Sequence, residues 1–176
     1  MKEIPLTRGR VAIVDDEHYW WLTKWKWYYG SNGYAVRNAP GKRHKYMHCV
    51  IMDTPPGMDT DHINGDRLDN RRSNLRVCTR AQNTHNQKVS KANSSGYKGV
   101  HWHKHDKRWR TQIKTGGKKI YLGNFHSKEY AALAYNRGAL QYHGAFANLN
   151  YVVPPLETTP KIRQIIIDSP YNAIAI

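Results

Sequence analysis

Three strand-like runs followed by one long helical pattern fill residues 96–150, and few folds accommodate that order. The runs are "YKGVHWH", "RWRTQIKT" and "KKIYLGNF", and the turn-like stretches "KHDK" and "TGGK" separate them. "SKEYAALAYNRGALQYHG" then predicts a helix that Ser127 caps. We expect the helix to pack on a three-stranded antiparallel sheet through an apolar stripe formed by Tyr130, Leu133, Ala134 and Leu140.

Alternation along the second run divides its side chains between two faces of the sheet. One face is basic and polar and carries Arg108, Arg110, Gln112 and Lys114. The other face is largely apolar and carries Trp109, Thr111 and Ile113. This division predicts a sheet with DNA on one side and a helix on the other, because a sheet can present alternate side chains to a DNA groove. An ordinary solvated basic face is the alternative.

The charge of the chain favours a polyanionic partner, either nucleic acid or anionic lipid. The chain has 28 Lys and Arg against 13 Asp and Glu, a formal charge of +15, and residues 96–150 alone carry ten basic and two acidic side chains. Charge that merely keeps the protein soluble is the alternative. No apolar run approaches the roughly 20 residues of a membrane span, and the start lacks the apolar core of a signal peptide. With only two cysteines, we expect a cytoplasmic protein without a disulfide framework.

Residues 1–52 have the pattern of a β-rich region. "GRVAIVDD" predicts a short strand, and Trp25 and Trp27 stand at the two-residue spacing of a second strand. "GSNG" predicts a turn that brings "YAVR" back as the partner strand. "HKYMHCVIM" fits either a further strand or a short helix.

Asp61 and His62 open a polar stretch, "DHINGDRLDNRRSNLR", whose residue types suit phosphodiester hydrolysis. That reaction needs a base to activate water and a cation to stabilise charge on the phosphate. Neutral His serves as a base near pH 7, and Mg²⁺ takes oxygen ligands from Asp and Asn. Asn74 follows twelve residues after His62, in "NLRVCT", which predicts a strand. Asn83 lies nine residues further on, in a helix that we expect Thr79 to cap.

"DHINGDRLDNRRSNLRVCTRAQNTHN" resembles the motif of HNH endonucleases, in the phage and intron homing branch. The resemblance implies a ββα-metal unit, with His62 as general base and Asp61 and Asn83 as metal ligands. It implies that Asn74 braces the loop and orients the catalytic His by hydrogen bonding. Because Asp and Asn supply oxygens, Mg²⁺ or Mn²⁺ is the expected cofactor.

Other residues of this region have more than one interpretation. Arg71, Arg72 and Arg76 are candidates to clamp DNA phosphate, or one of them pairs instead with Asp66 or Asp69. Asp69 and Asn70 are expected to brace the loop. For His48, a supporting role or a DNA contact stands beside packing in the core.

The stretch from "SGYKGV" to "FANLN" resembles the plant apetala-two, or ethylene-response-factor, DNA-binding domain. The shared features are "YKGV", "YLGNF" and "AALAYN". The resemblance implies DNA contacts from Lys98, His101, His103, Arg110, Lys114, Lys119 and Tyr121. Several of these positions hold Arg or Trp in the plant proteins, so the plant target sequence does not carry over.

We therefore expect an α+β protein with a nuclease domain over residues 1–92, whose ββα core covers about 44–90. We expect three further segments after it: a linker over 93–95, a DNA-binding domain over 96–150 and a tail over 151–176. The predicted function is metal-dependent cleavage of double-stranded DNA by a monomer, which nicks, or by a homodimer. Two alternatives are a DNA-binding regulator with an inactive nuclease unit and a structural metal site.

Overall fold

The computed structural model describes residues 1–86, 89 and 93–153 and divides the chain into two compact units. The first comprises Met1–Lys88 with His143–Asn148, and the second comprises Val89–Tyr142 with Leu149–Ile176. Most of the expected tail, residues 154–176, lies outside the described residues. No helix in the described ranges is long and apolar enough to cross a membrane. Helices and several small antiparallel sheets confirm the expected α+β class.

Seven strands of the first unit form three small antiparallel sheets. The pairs and triplet are β1 (Lys2–Pro5) with β2 (Val11–Val14), β3 (Tyr28–Tyr29) with β4 (Ala35–Ala39) and β5 (Arg43–Tyr46), and β6 (Asp59–His62) with β7 (Leu75–Cys78). The helices of this unit are α1 (Asp16–Leu22), α2 (Met47–Ile51) and α3 (Arg80–His85). Leu22 of α1 and Met47 of α2 are fully buried in a core that also contains Val14 of β2, Ala35 of β4 and Leu75 of β7, so both helices pack in a core that the three sheets share.

The structure corrects the strand expected around Trp25 and Trp27. Residues 16–22 form α1, with Asp15 at its N-cap and acids in its first turn, where the helix dipole favours them. Trp27 is buried and donates its indole N–H to the carbonyl of Leu22, while Trp25 is partly exposed in the connection. The two-residue spacing therefore does not mark a strand. Trp27 is buried in the core, and Trp25 lies at the surface.

The remaining strand predictions of this region are confirmed. "YAVR" forms β4, which pairs with β3 across the turn. "HKYMHCVIM", which fitted either a strand or a short helix, contains one of each. Strand β5 ends at Tyr46, and helix α2 begins at Met47. Thr79 caps α3 in a capping box with Gln82, as the sequence predicts for the Thr79 side chain.

The second unit has the predicted three strands and helix. Its strands are β8 (Val100–His103), β9 (Arg108–Thr115) and β10 (Lys118–Phe125), in the antiparallel order β10-β9-β8, followed by α4 (Lys128–His143). Ser127 accepts hydrogen bonds from the backbone N–H groups of Glu129 and Tyr130 at the start of α4.

The buried face of α4 differs from the expected stripe. The buried residues are Ala131, Ala132, Tyr135, Gly138 and Ala139, while the four residues of the predicted stripe are only half-buried. Small side chains explain the difference, since they allow the helix backbone to approach the sheet closely. A Cβ atom at Gly138 would lie 2.6 Å from a methyl carbon of Leu122.

Residues 93–95, expected as a linker, form a hydrogen-bonded turn at the start of the second unit. The Ser95 hydroxyl contacts the side chain of Asn93 and the carbonyl oxygens of Tyr97 and Val100. Ser95 is 2% exposed. The polar side chains of this stretch therefore stabilise a turn in which Ser95 is buried.

Candidate active site and nucleic-acid interface

Strands β6 and β7 and helix α3 bring the predicted nuclease residues to one place. In the antiparallel register, Asp61 lies opposite Arg76 and His62 opposite Leu75. Asp61 and His62 are buried, and Asn83 lies on the helix that follows β7. This is a ββα arrangement in which the hairpin and the helix face each other.

These side chains line one polar cleft of about 890 Å³. The sequence-predicted residues on its wall are Asp61, His62 and Asn83. They are joined by Asn86 at the C-cap of α3 and by the ring of Tyr34 from the connection before β4. The cleft can therefore admit a substrate group against a carboxylate, an imidazole and two amides at once.

The ring of His62 is held by its neighbours in a defined orientation. Its Nε2 atom lies 3.4 Å from the side-chain oxygen of Asn70, which is fully buried. The rings of His48 and Tyr34 lie 4.9 and 5.8 Å from the His62 ring, centroid to centroid. Burial lowers the pKa of His62, and the hydrogen bond to Asn70 partly opposes that shift. A histidine in this environment is neutral near pH 7, which is the form that accepts a proton.

Asn74 braces the loop between β6 and β7. Its amide donates to the side-chain oxygen of Asn64 and to the carbonyl of Asp69, and its side-chain oxygen accepts from the backbone N–H of Asn64. Asn64 also donates to the Asp69 carboxylate. The resemblance implied that Asn74 both braces the loop and orients the His62 ring. In the structure Asn74 braces the loop, and Asn70 is the side chain that contacts the His62 ring.

Asp61 and Asn83 offer side-chain oxygen atoms that suit a hard divalent cation. The Nδ2 group of Asn83 donates to Asp59 at 3.0 Å, which leaves the amide oxygen of Asn83 as a donor atom for a metal. Asp61 and Asn83 line the same cleft. A carboxylate and an amide oxygen are ligands that Mg²⁺ and Mn²⁺ accept, so the residues present fit the expected cofactor.

Asn86 is a site residue that the sequence alone did not identify. Its Nδ2 group lies 3.0 Å from both carboxylate oxygens of Asp61 and 2.9 Å from the carbonyl of His62. The available signal was its position three residues after Asn83, which places both amides on one face of the helix.

The three candidate arginines of the motif are engaged within the protein. Arg71 forms a two-pronged pair with Asp69, with distances of 2.7 and 2.6 Å, which is the alternative open in the sequence. This pairing lowers the pKa of Asp69. Arg76 donates to Asp61, and Arg72 donates to the carboxylate of Asp15 through its backbone N–H and to a backbone carbonyl through its guanidinium.

His48 packs beside the candidate base as a buried neutral imidazole. It is 6% exposed, its Nδ1 has no hydrogen-bond partner in the described part of the chain, and burial lowers its pKa to about 3. The packed position agrees with the core interpretation of this residue, and its ring contact with His62 gives it a supporting position as well.

Acid should destabilise the first unit through His48. The unfolded chain binds a proton near the ordinary pKa of 6.5, whereas the folded chain binds it only near 3. Stability is therefore retained above 6.5 and lost as the pH falls through this window, by up to about 1.4 kcal/mol per pH unit. Urea unfolding at several pH values measures this slope. His48→Gln should make the slope shallower, and an unchanged slope in that variant would contradict the assignment to His48.

A second candidate surface is one face of the β8–β10 sheet. Cross-strand pairing joins His101 to Arg110, His103 to Arg108, Gln112 to Tyr121 and Lys114 to Lys119, and partners in a register share a face. This face therefore carries every DNA-contact candidate of the strands, namely His101, His103, Arg108, Arg110, Gln112, Lys114, Lys119 and Tyr121. The last candidate, Lys98, precedes β8 and is half-buried, and burial lowers its pKa to about 8.

Asp106 organises this face. Its carboxylate accepts hydrogen bonds from Arg110 and Asn124 at 3.1 and 3.0 Å and lies 3.1 Å from the imidazole of His103. The Arg110 guanidinium also lies over the ring of Tyr121. The single acid in the turn before β9 thus fixes the orientation of its basic neighbours.

A further acidic cluster lies outside the cleft. Asp15, Glu17 and His18 bring potential metal-ligand atoms within 4.8 Å of one another at the start of α1. Asp15 already accepts the backbone N–H of Arg72 at 2.7 Å. This contact gives the Asp15 carboxylate a structural role at the N-cap of the helix.

Comparisons with known proteins agree with the geometry of the cleft. A family model described as HNH endonuclease matches residues 53–85. The chain is similar to an uncharacterised HNH endonuclease of Acanthamoeba polyphaga mimivirus, at 32% identity over 149 residues, which is 82% of this chain and 77% of that protein. It is also similar to protein 3.8 of Escherichia phage T7, at 38% identity over 112 residues, which is 62% of this chain and 89% of that protein.

Plant transcription factors match a smaller part of the chain. An AP2-like ethylene-responsive transcription factor of Arabidopsis thaliana is 37% identical over 67 residues, which is 38% of this chain and 14% of that protein. These matches fall in the C-terminal region, as the resemblance noted from the sequence implied. Together with the viral relatives, the ββα arrangement shows that the chain belongs to the HNH endonuclease family.

Proposed function

We propose that this chain is a metal-dependent DNA endonuclease of the homing type. The observation that carries the proposal is the shared cleft in which Asp61, His62 and Asn83 meet. In this proposal residues 1–92 form the nuclease and residues 96–150 select the site. The similarity to a protein of Escherichia phage T7 supports action in the cytoplasm of a phage-infected bacterial cell.

The proposed cleavage begins with proton transfer to His62. Its Nε2–H group donates to the Asn70 oxygen, which leaves Nδ1 free to accept a proton from the attacking water. Asp61 and Asn83 would hold Mg²⁺ or Mn²⁺ through their oxygens. When bound, the cation supplies positive charge for the phosphate and the leaving oxygen. A single site of this kind cleaves one strand, so a monomer nicks and a homodimer breaks both strands.

The basic face of the β8–β10 sheet is the proposed reader of the target. Lys114 and Lys119 are both exposed and lie opposite each other across two strands. Replacing either with glutamine should reduce the salt dependence of DNA binding, lowering the slope of log affinity against log salt by about 1. Fluorescence anisotropy at several salt concentrations measures the slope. Arg137→Gln, a change at an exposed position on α4, is the matched control. If Lys114→Gln and Lys119→Gln both keep the wild-type slope, this face is not part of the DNA interface.

Run-off sequencing tests the complete proposal. A random library of DNA duplexes is incubated with the full chain and Mg²⁺, and the new ends are sequenced. We expect ends that recur at one sequence. A DNA-binding regulator with an inactive nuclease unit would retain duplexes without producing ends, and that outcome would replace the enzyme by the binder. Scattered ends would support the nuclease and contradict site selection.

A further inference from the structure

A short segment that begins at the last residue of α4 packs against the ββα unit. This segment, His143–Asn148, belongs to the same compact unit as Asp61. The sequence assigned it to the DNA-binding domain over residues 96–150. Its contacts converge on the side chain of Arg76 and the backbone carbonyl of Asn86, and the side chains of both residues contact Asp61.

The first contact fixes the guanidinium of Arg76. Its Nε and one terminal nitrogen donate to the same oxygen of Asp61, at 3.0 and 2.8 Å. The other terminal nitrogen donates to the carbonyl of Ala145. The ring of Phe146 covers the guanidinium, with 4.2 Å between the guanidinium carbon and the ring centroid. The Arg76 side chain is 18% exposed, so this cation–π contact is largely shielded from water.

The second contact fixes Asn86. The side-chain amide of Asn148 donates to the backbone carbonyl of Asn86 at 2.7 Å. The Asn86 side chain in turn donates to Asp61. Next to this contact, the rings of His85 and His143 stack at 3.6 Å and are nearly parallel. The end of α3 is therefore attached to the 143–148 segment at two adjacent residues.

We propose that Phe146 and Asn148 are positioning residues of the metal centre, acting on Asp61 through Arg76 and Asn86. Residues that hydrogen-bond to a metal ligand orient its oxygen atoms and restrict its rotamers, and their loss weakens metal binding. Neither residue touches the substrate in this account. The inference rests on the proposed function, because it takes Asp61 as a metal ligand.

Direct Mn²⁺ binding to the full-length chain tests the inference. Free Mn²⁺ is followed by electron paramagnetic resonance in wild type, Phe146→Leu, Phe146→Tyr and Asn148→Ala. We expect Phe146→Leu and Asn148→Ala to bind Mn²⁺ about 10-fold more weakly. Phe146→Tyr, which keeps the ring over Arg76, should restore binding to within about two-fold. Tyr142→Leu, the same kind of change at an exposed aromatic residue just before the segment, is the matched control.

Thermal unfolding of each variant separates positioning from folding. If Phe146→Leu does not fold, Asn148→Ala decides, because it removes one hydrogen-bonding amide from a half-buried position. Folded variants that bind Mn²⁺ as wild type does would overturn the inference and leave the proposed function standing. A wild-type chain that binds no Mn²⁺ would overturn both.

Discussion

His62→Ala is expected to slow DNA cleavage by about 100- to 10,000-fold, which is the usual contribution of a positioned base. DNA affinity should stay within about two-fold of wild type, since most contacts that set affinity go to the phosphate backbone. His62 is 4% exposed and lies at the wall of the cleft, so its removal takes away the proposed proton acceptor without altering the basic sheet of the second unit.

Single-turnover cleavage of a labelled duplex at saturating Mg²⁺ measures the rate, and anisotropy in the same buffer measures affinity. His126→Ala is the matched control, because His126 is exposed and lies outside the cleft. A His62→Ala protein that cuts as fast as wild type would eliminate this histidine as the base. A parallel loss of affinity and rate would point to binding as its role.

Asp61→Asn is expected to weaken Mn²⁺ binding by more than about 100-fold, because it removes the charged ligand while nearly preserving side-chain size. Cleavage should fall with metal binding. The change also deprives Arg76 of its carboxylate partner, so the free energy of unfolding should drop by about 1–3 kcal/mol.

Asp66→Asn is the control for this change, since Asp66 lines the same cleft and its carboxylate accepts a backbone N–H within the loop. Calorimetric titration with Mn²⁺ and urea unfolding are run on both variants. If Asp66→Asn loses metal binding and Asp61→Asn keeps it, the ligand set has been assigned to the wrong carboxylate.

Local patterns predicted much of the ββα unit. Residue types and spacing placed Asp61, His62 and Asn83 on successive elements, and Thr79 marked the start of α3. These predictions depend on neighbours along the chain, through strand alternation, capping and helical periodicity. The resemblance added the roles, which local patterns cannot supply.

Tertiary contacts decided what the sequence left open. The sequence offered Arg76 as a phosphate contact, and in the structure its partners within the chain are Asp61 across the hairpin and the carbonyl of Ala145, 69 residues away. The His62 ring contacts Asn70, although the resemblance implied a contact with Asn74. In α4 the most apolar stripe is not the buried one, because close packing on the sheet selects small side chains such as Gly138. None of these choices is visible in a window of neighbouring residues.

Conversion of supercoiled plasmid to open circle by the purified chain tests the central claim most directly. The reaction is run with Mg²⁺ and with EDTA, and with His62→Ala beside the wild type. We predict open-circle product only for the wild type in Mg²⁺. Open circles that form equally in EDTA, or equally with His62→Ala, would contradict a metal-dependent nuclease at this cleft.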